Sequence, residues 1–266
     1  MGEGGKEVLV ERRGDVQWVI LNRPERRNAI NAEVIHGVTE AMLSAAKAGV
    51  EEGLRAVVVT GAGDKAFCAG ADLQKRDESK NFGFDPSQPR HPFVRMFEAF
   101  EACDLPIVAR VNGPVMAGGV GLLCACDMAV AVDDALVGTP EAKVGLFPMM
   151  ILSYMQRLIP RRKLMEMCLT GEPWTAAQAL EVGLYNYVVP PTGLDEKVAW
   201  LLGRLLDKSP SGQRIGKHAL RVMMDMTLSQ GFAFSQLQLP MMTLTEDARE
   251  GLVAFNEKRP PKFQGK

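Results

Sequence analysis

The start of the chain alternates between short apolar runs and turn residues. Residues 8–12 and 16–21 are rich in Val, Ile and Leu, and Gly14-Asp15 between them favours a hairpin. Residues 54–60 form an almost continuously apolar run, which is typical of a strand covered on both faces. The pattern therefore predicts a strand pair followed, further along, by a buried strand.

Two amphipathic helices are predicted on either side of that buried strand. Asn31 is a suitable N-cap for the first, whose apolar face consists of Ile35, Val38, Met42 and Ala45. A polar, proline-rich stretch over residues 76–92 predicts a loop. The second helix begins near Phe93, and its apolar side chains at helical spacing are Phe93, Met96, Phe97 and Phe100.

A similar order of elements then returns. Residues 105–111 predict a strand and Asn112-Gly113-Pro114 a turn, and a helix is expected from Gly118 to about Cys126. Residues 128–132 predict the next strand, and residues 136–139 predict a short one that leads to Pro140-Glu141.

The last quarter of the chain changes to helical periodicity. Thr175 and Gln178 match a capping box, and Gly183 is a suitable stop for that helix. Residues 198–206, 213–226 and 246–257 predict further helices, with breaks at Pro210 and Pro240. We therefore expect an α/β core over residues 1–195 and a helical region over residues 196–266 that serves packing and oligomerisation.

Composition excludes several classes of protein. Lys and Arg total 31 against 32 Asp and Glu, so no overall field attracts nucleic acid or a membrane surface. No apolar run approaches the length of a membrane span. The five cysteines show no Cys-x-x-Cys spacing, and the first residues lack the features of a signal or transit peptide. These observations indicate a cytoplasmic protein.

Two glycine-rich turns and one carboxylate carry the candidate chemistry. Residues 69–72 (Ala-Gly-Ala-Asp) and 117–121 (Ala-Gly-Gly-Val-Gly) each follow a predicted strand, and Glu141 comes after the second of them. Two converging N–H groups stabilise an oxyanion, and a nearby carboxylate can move a proton on the adjacent carbon. This set suits enolate chemistry on a thioester and calls for no metal, redox cofactor or nucleophilic side chain.

Longer segments around these residues resemble those of a known family. Residues 66–73 (Ala-Phe-Cys-Ala-Gly-Ala-Asp-Leu) and 112–119 (Asn-Gly-Pro-Val-Met-Ala-Gly-Gly) resemble the two oxyanion-hole segments of the crotonase family, the enoyl-CoA hydratases and isomerases. Residues 21–29 and 255–260 are also similar to that family. The resemblance extends over nearly the whole chain.

The resemblance implies a fold and a set of site residues. The fold is α/β, a spiral of repeated ββα units with a C-terminal helical region. The oxyanion donors correspond to the N–H groups of Ala71 and Gly118, and the catalytic carboxylate corresponds to Glu141. Nearby apolar residues, if they surround Glu141, would raise its pKa; they are Val144, Leu146, Phe147, Met149 and Met150.

The resemblance also implies how acyl-CoA is held. Backbone contacts to CoA are expected along Ala71, Asp72, Leu73 and Gln74, while Arg26 and Arg27 are candidates to meet its phosphates. Met116, Met149, Met150 and Met155 are candidates for an acyl pocket, although methionine is also a common core residue. No separate cofactor is expected, because CoA is part of the substrate. Relatives suggest a homotrimer or a dimer of trimers.

The chain departs from the family at two positions. Hydratases of the family carry a second glutamate three residues after the oxyanion glycine, where this chain has Gly121. Dienoyl-type isomerases carry an aspartate eight residues after the catalytic glutamate, where this chain has Met149. Moving a proton between two carbons needs only one base. Isomerisation is therefore favoured, with hydration of a 2-enoyl-CoA as an alternative and a catalytically silent CoA-binding or assembly protein as another.

Overall fold

A hairpin opens the fold. The computed structural model describes residues 6–72, 87 and 89–266. Strand β1 (Val8–Arg13) pairs antiparallel with β2 (Val16–Leu21), and Gly14 turns the chain with a φ of +61°. Both strands and the hairpin were predicted from the apolar pattern, and the structure confirms them.

The main sheet continues from this hairpin with parallel strands. The following members are β3 (Ala56–Gly61), β4 (Ile107–Val111), β6 (Met128–Val132) and β8 (Tyr187–Val189). The described strand order is β1-β2-β3-β4-β6-β8, and every pair after the hairpin is parallel. All residues of β3 are buried, which confirms the prediction of a strand covered on both faces. A small second sheet pairs β5 (Val115–Met116) with β7 (Val137–Gly138).

Helices cover this sheet and form the end of the chain. Those of the first two thirds are α1 (Ala32–Glu51), α2 (Pro92–Ala102), α3 (Gly118–Ala125), α4 (Met149–Leu158), α5 (Arg161–Thr170) and α6 (Ala176–Glu181). Those of the C-terminal region are α7 (Leu194–Leu206), α8 (Pro210–Met223), α9 (Leu228–Thr243) and α10 (Glu246–Glu257). Asn31 caps α1 by accepting the N–H of Val34, and Thr175 forms the predicted capping box of α6.

One predicted break is wrong. Pro240 lies inside α9, where the helix continues for another three residues to Thr243. The loss of a single backbone donor near the end of a helix does not stop it when packing holds the remaining turns. Pro210, in contrast, is the first residue of α8, a position where its fixed φ suits helix initiation.

The C-terminal helices contact the core through buried apolar side chains and through hydrogen bonds from an arginine. Leu194 and Val198 of α7 belong to the same apolar cluster as the central strands. Arg221 of α8 donates to the carbonyl of Phe100 (3.2 Å) and to that of Cys103 (3.0 Å) at the end of α2. The division into regions of 1–195 and 196–266 stays a prediction.

Large apolar side chains on the outside of α8, α9 and α10 are exposed in the single chain. Among them are Leu220, Leu228, Phe232, Leu237, Leu239, Met241, Leu252 and Phe255. Such a surface is typical of an interface between subunits. In the part of the chain that the structure describes, no helix combines the length and the hydropathy that a membrane span requires.

Candidate active site

The two glycine-rich turns lie side by side. Cys68 forms a parallel β-bridge with Val115, and the N–H of Met116 donates to the carbonyl of Cys68 at 2.9 Å. The N–H of Phe67 donates to the carbonyl of Pro114 at 3.1 Å. Segments that are far apart in the sequence are thus joined just before Ala71 and Gly118.

Ala71 forms a bridge with Ile30 that directs the N–H of Ala71 away from Ile30. The N–H of Ile30 donates to Gly70 (2.7 Å), and the carbonyl of Ile30 accepts from Asp72 (2.9 Å). In a parallel bridge of this kind the residue between the two bonded neighbours directs its N–H away from the partner. Among the described residues no backbone acceptor takes the Ala71 N–H. It remains available to a ligand.

Gly118 begins α3 immediately beside Ala71. A Cβ placed on Gly118 would lie 3.8 Å from the Ala71 nitrogen, and one placed on Gly70 would lie 3.2 Å from the Gly118 nitrogen. The first N–H groups of a helix have no partner within it. Ala117, the residue before it, has φ 50° and ψ −125°, a strained conformation for alanine, and its N–H is anchored on the carbonyl of Gly138 at 2.9 Å. The two nitrogens therefore border one small space.

Glu141 follows strand β7 of the second sheet, which pairs with the short strand β5 just before Gly118. Strand β7 pairs with β5, so Met116 lies opposite Gly138, and Thr139 and Pro140 lead from there to Glu141. One carboxylate oxygen of Glu141, Oε2, is buried and has no hydrogen-bond partner. Burial raises the pKa of Glu141 above its ordinary value of 4.5. A carboxyl group in this state is suited to exchange a proton with a bound substrate.

Three of the residues expected to surround Glu141 are exposed to solvent instead. Val144, Leu146 and Met149 are 66%, 55% and 67% exposed, since the short 3₁₀ turn over Pro140–Val144 and the bend at Gly145 carry them to the surface of the chain. The end of α5 lies against this turn instead, with the hydroxyl of Thr139 donating to the carbonyl of Met167 at 3.4 Å.

The candidate methionines separate into two groups. Met155 is fully buried in the apolar core, whereas Met149 and Met150 are exposed and Met116 is half-buried. Met155 is therefore a core residue and not part of a ligand pocket open to solvent.

Other side chains occupy the space that a glutamate side chain at position 121 would need. A Cβ on Gly121 would stand 2.3 Å from Cγ2 of Ile151 and 2.8 Å from Cζ of Phe97. Helix α4 brings Ile151 against α3, and α2 brings Phe97. The structure thus leaves no room for a carboxylate at position 121 without rearrangement of the neighbouring helices.

Sequence reasoning missed a buried ion pair behind Ala71. Arg23 donates through Nη2 to the carboxylate of Asp72 at 2.8 Å and through Nη1 to the carbonyl of Ala29 at 2.6 Å. Asn28 is also buried and donates to the carbonyls of Ala62 and Ala66 at 3.0 and 2.8 Å. These contacts attach residues 23–30 to the segment that carries Ala71. Within the sequence, only the resemblance of residues 21–29 to the family pointed to them.

The predicted CoA contacts are only partly within the described residues. Leu73 and Gln74 lie outside them. The N–H of Asp72 is bonded to Ile30 and its carboxylate to Arg23. Arg26 and Arg27 are exposed near this segment, and the carbonyl of Arg27 accepts from Ala69 at 3.0 Å.

Comparisons with known proteins identify the family. A family model described as enoyl-CoA hydratase/isomerase matches residues 11–266. The chain belongs to the enoyl-CoA hydratase/isomerase family. It is similar to (E)-benzylidenesuccinyl-CoA hydratase of Thauera aromatica, with 33% identity over 97% of this chain and 99% of that protein. It is also similar to carnitinyl-CoA dehydratase of Salmonella arizonae, with 33% identity over 98% of this chain and 99% of that protein.

Solved structures agree with this assignment. The structure of an enoyl-CoA hydratase from Bacillus anthracis matches with a TM-score of 0.87 and 30% identity, covering 98% of this chain and all of the other. The predicted crotonase-like α/β fold with a C-terminal helical region is confirmed. As a member of the enoyl-CoA hydratase/isomerase family the protein is an enzyme, and enzymes of this family act on acyl-CoA thioesters.

Proposed function

We propose that this enzyme moves the double bond of an unsaturated acyl-CoA thioester through an enolate. The observation that carries the proposal is the shared space beside the nitrogens of Ala71 and Gly118, with Glu141 arriving from the adjacent strand. The N–H groups would bind the thioester oxygen as negative charge develops on it. We also propose that the reaction needs no further cofactor.

The proton moves between two carbons of one substrate. The carboxylate of Glu141 removes a proton from C2 of a 3-enoyl thioester, and the electron pair of that C–H bond passes to the thioester oxygen. The same carboxyl group then returns the proton to C4, and the double bond ends between C2 and C3. The raised pKa of Glu141 supports this role, because the group must hold the proton between the two steps.

Isomerisation is favoured over hydration by the environment of Gly121. Addition of water conveniently uses two carboxylates, one to orient the water and one to give the proton. Ile151 and Phe97 occupy the space that the second would need. Hydration of a 2-enoyl-CoA is the second candidate, supported by the hydratases among the named relatives.

The functional unit that we propose is a homotrimer or a dimer of trimers. The exposed apolar side chains of α8, α9 and α10 are too numerous to face water in a stable monomer. Nucleic acid and membranes are not proposed as partners, since the charges of the chain balance.

The test is a panel of thioesters with product identification. Purified enzyme should convert a 3-enoyl-CoA to the 2-enoyl-CoA, with partial transfer of label from C2 to C4. Glu141→Gln should lower the rate at least about 10²-fold. Glu172→Gln is the matched control, because Glu172 is an exposed carboxylate paired with Lys143.

Two other results of the thioester panel would support the two alternative functions. Rapid hydration of the 2-enoyl-CoA with complete solvent exchange would replace isomerisation by hydration. Binding of CoA thioesters without any turnover would identify a catalytically silent member of the family.

A further inference from the structure

A cavity opens directly from the space beside Ala71 and Gly118. It has a volume of about 410 Å³ and lies between the first turns of α1 and α2. Ile30, Ala71 and Phe93 line it. Cδ1 of Ile30 and Cζ of Phe93 also lie 3.5 and 3.1 Å from where a Gly118 Cβ would stand. One wall is therefore shared with the proposed thioester site.

The cavity is apolar near the thioester site and charged beyond it. Arg95 follows Phe93 on α2 and lines the cavity. Of the residues that the structure describes, none forms an ion pair with Arg95. The carboxylate of Asp72, also in the lining, is already neutralised by Arg23 at 2.8 Å. Arg95 thus lines the cavity without a carboxylate partner among the described residues.

The other charged and titratable residues that line the cavity are Glu40, His91 and His36. At 1.5 Å per residue, Glu40 stands about 12 Å along α1 from Ala32. His91 accepts the N–H of Phe93 through Nδ1 at 3.1 Å. His36 is exposed and also lines the cavity.

We propose that this cavity receives a short acyl group that ends in a second carboxylate, and that Arg95 selects for it. The inference rests on the proposed function, since the thioester carbonyl must sit at Ala71 and Gly118. Arg95 lines the same cavity as Phe93, whose ring borders that carbonyl site. The phosphates of CoA lie at the far end of the pantetheine arm. An anion near Arg95 therefore belongs to the acyl group, and guanidinium binds carboxylates in a bidentate manner.

Binding measurements without turnover test the inference. Glutaryl-CoA and pentanoyl-CoA have acyl chains of equal length and differ in the terminal carboxylate. Calorimetry on the full-length protein should show glutaryl-CoA binding about tenfold more tightly, as expected for a charge-assisted hydrogen bond. Arg95→Gln should remove the preference and leave pentanoyl-CoA unchanged, while Arg95→Lys should keep part of it.

Two further variants control for charge. Glu40→Gln should strengthen glutaryl-CoA binding slightly, because it removes a negative charge from the same cavity. Arg162→Gln removes an exposed positive charge from the first turn of α5 and should change neither affinity.

Three results would overturn the inference. The wild-type protein could bind both thioesters equally. Arg95→Gln could weaken both equally and also weaken free CoA, which would assign Arg95 to the CoA phosphates. Arg162→Gln could have the same effect as Arg95→Gln. A carboxylate preference in a protein that turns over no thioester would refute the proposed function and leave the subsite standing.

Discussion

Replacement of Arg23 by Met should destabilise the protein and slow its reaction at the same time. The Arg23 and Asp72 side chains are 9% and 10% exposed and their atoms approach to 2.8 Å. Arg23 also lies 3.4 Å from a carboxylate oxygen of Glu7. Removing one member of a buried ion pair costs about 3–5 kcal/mol. The bond from Arg23 to the carbonyl of Ala29 is lost as well.

The catalytic effect follows from the position of the pair. Asp72 is the neighbour of Ala71, whose N–H is a proposed oxyanion donor. A donor displaced by about 1 Å lowers the rate roughly 10²-fold. The turnover number should therefore fall, and KM should rise as well, because the backbone groups expected to hold CoA along Ala71 and Asp72 belong to the same segment.

The assay combines urea unfolding with steady-state kinetics on the substrate identified by the thioester panel. Arg12→Met is the matched control, since Arg12 also pairs at 2.8 Å with a carboxylate, Glu52, but with side chains 45% and 60% exposed. An exposed pair contributes about 0–1 kcal/mol. The double variant Arg23→Met/Asp72→Leu should recover part of the stability, since Glu7 still loses its pair with Arg23, and little of the rate. If Arg23→Met behaves like Arg12→Met in both measurements, the positioning role is refuted.

Three further predictions concern the pKa of Glu141, the packing around Gly121 and the exposed apolar surface of the C-terminal helices. Burial raises the Glu141 pKa, so the acid limb of kcat/KM should lie above pH 4.5. The stability of the fold should decrease as pH rises from 4.5 through the raised pKa, because the buried carboxyl then becomes charged. Glu141→Gln should therefore stabilise the fold at neutral pH, and equal stability of the two proteins would contradict this. Gly121→Ala should cost about 1–3 kcal/mol in thermal unfolding because of overpacking, and Gly121→Ala combined with Ile151→Ala should cost less than the sum of the two single changes. A neutral Gly121→Ala would show that the helices adjust freely. Light scattering should give a trimer or hexamer that Phe232→Glu dissociates, whereas a stable wild-type monomer would exclude the proposed interface.

Local signals predicted most of the fold. The hairpin at Gly14, the N-cap at Asn31 and the capping box at Thr175 all depend on neighbouring residues, and the structure contains each of them. Helices α4, α5 and α9 and strands β5 and β8 were not predicted as separate elements. The residues of β8 are only partly buried, and neither the amphipathic face of α4 nor the mainly polar α5 was recognised in the sequence.

The site was predictable as a set of candidates and not as an arrangement. Glycine-rich turns and the resemblance to the family indicated Ala71, Gly118 and Glu141. No local pattern shows that Arg23 pairs with Asp72, because their contact depends on how distant segments pack. The filling of the Gly121 site by Ile151 is likewise a property of helix packing.

The bridges that join Ile30 to Ala71 and Cys68 to Val115 also have a consequence for folding kinetics. Each connects segments far apart in the sequence through only a few hydrogen bonds, so closing the intervening loops has an entropic cost that these bonds alone do not offset. Contacts of this kind form late, once the parallel strands have brought the segments together. During refolding, helical structure and a buried core should therefore return before catalytic activity does, and a compact intermediate should be inactive.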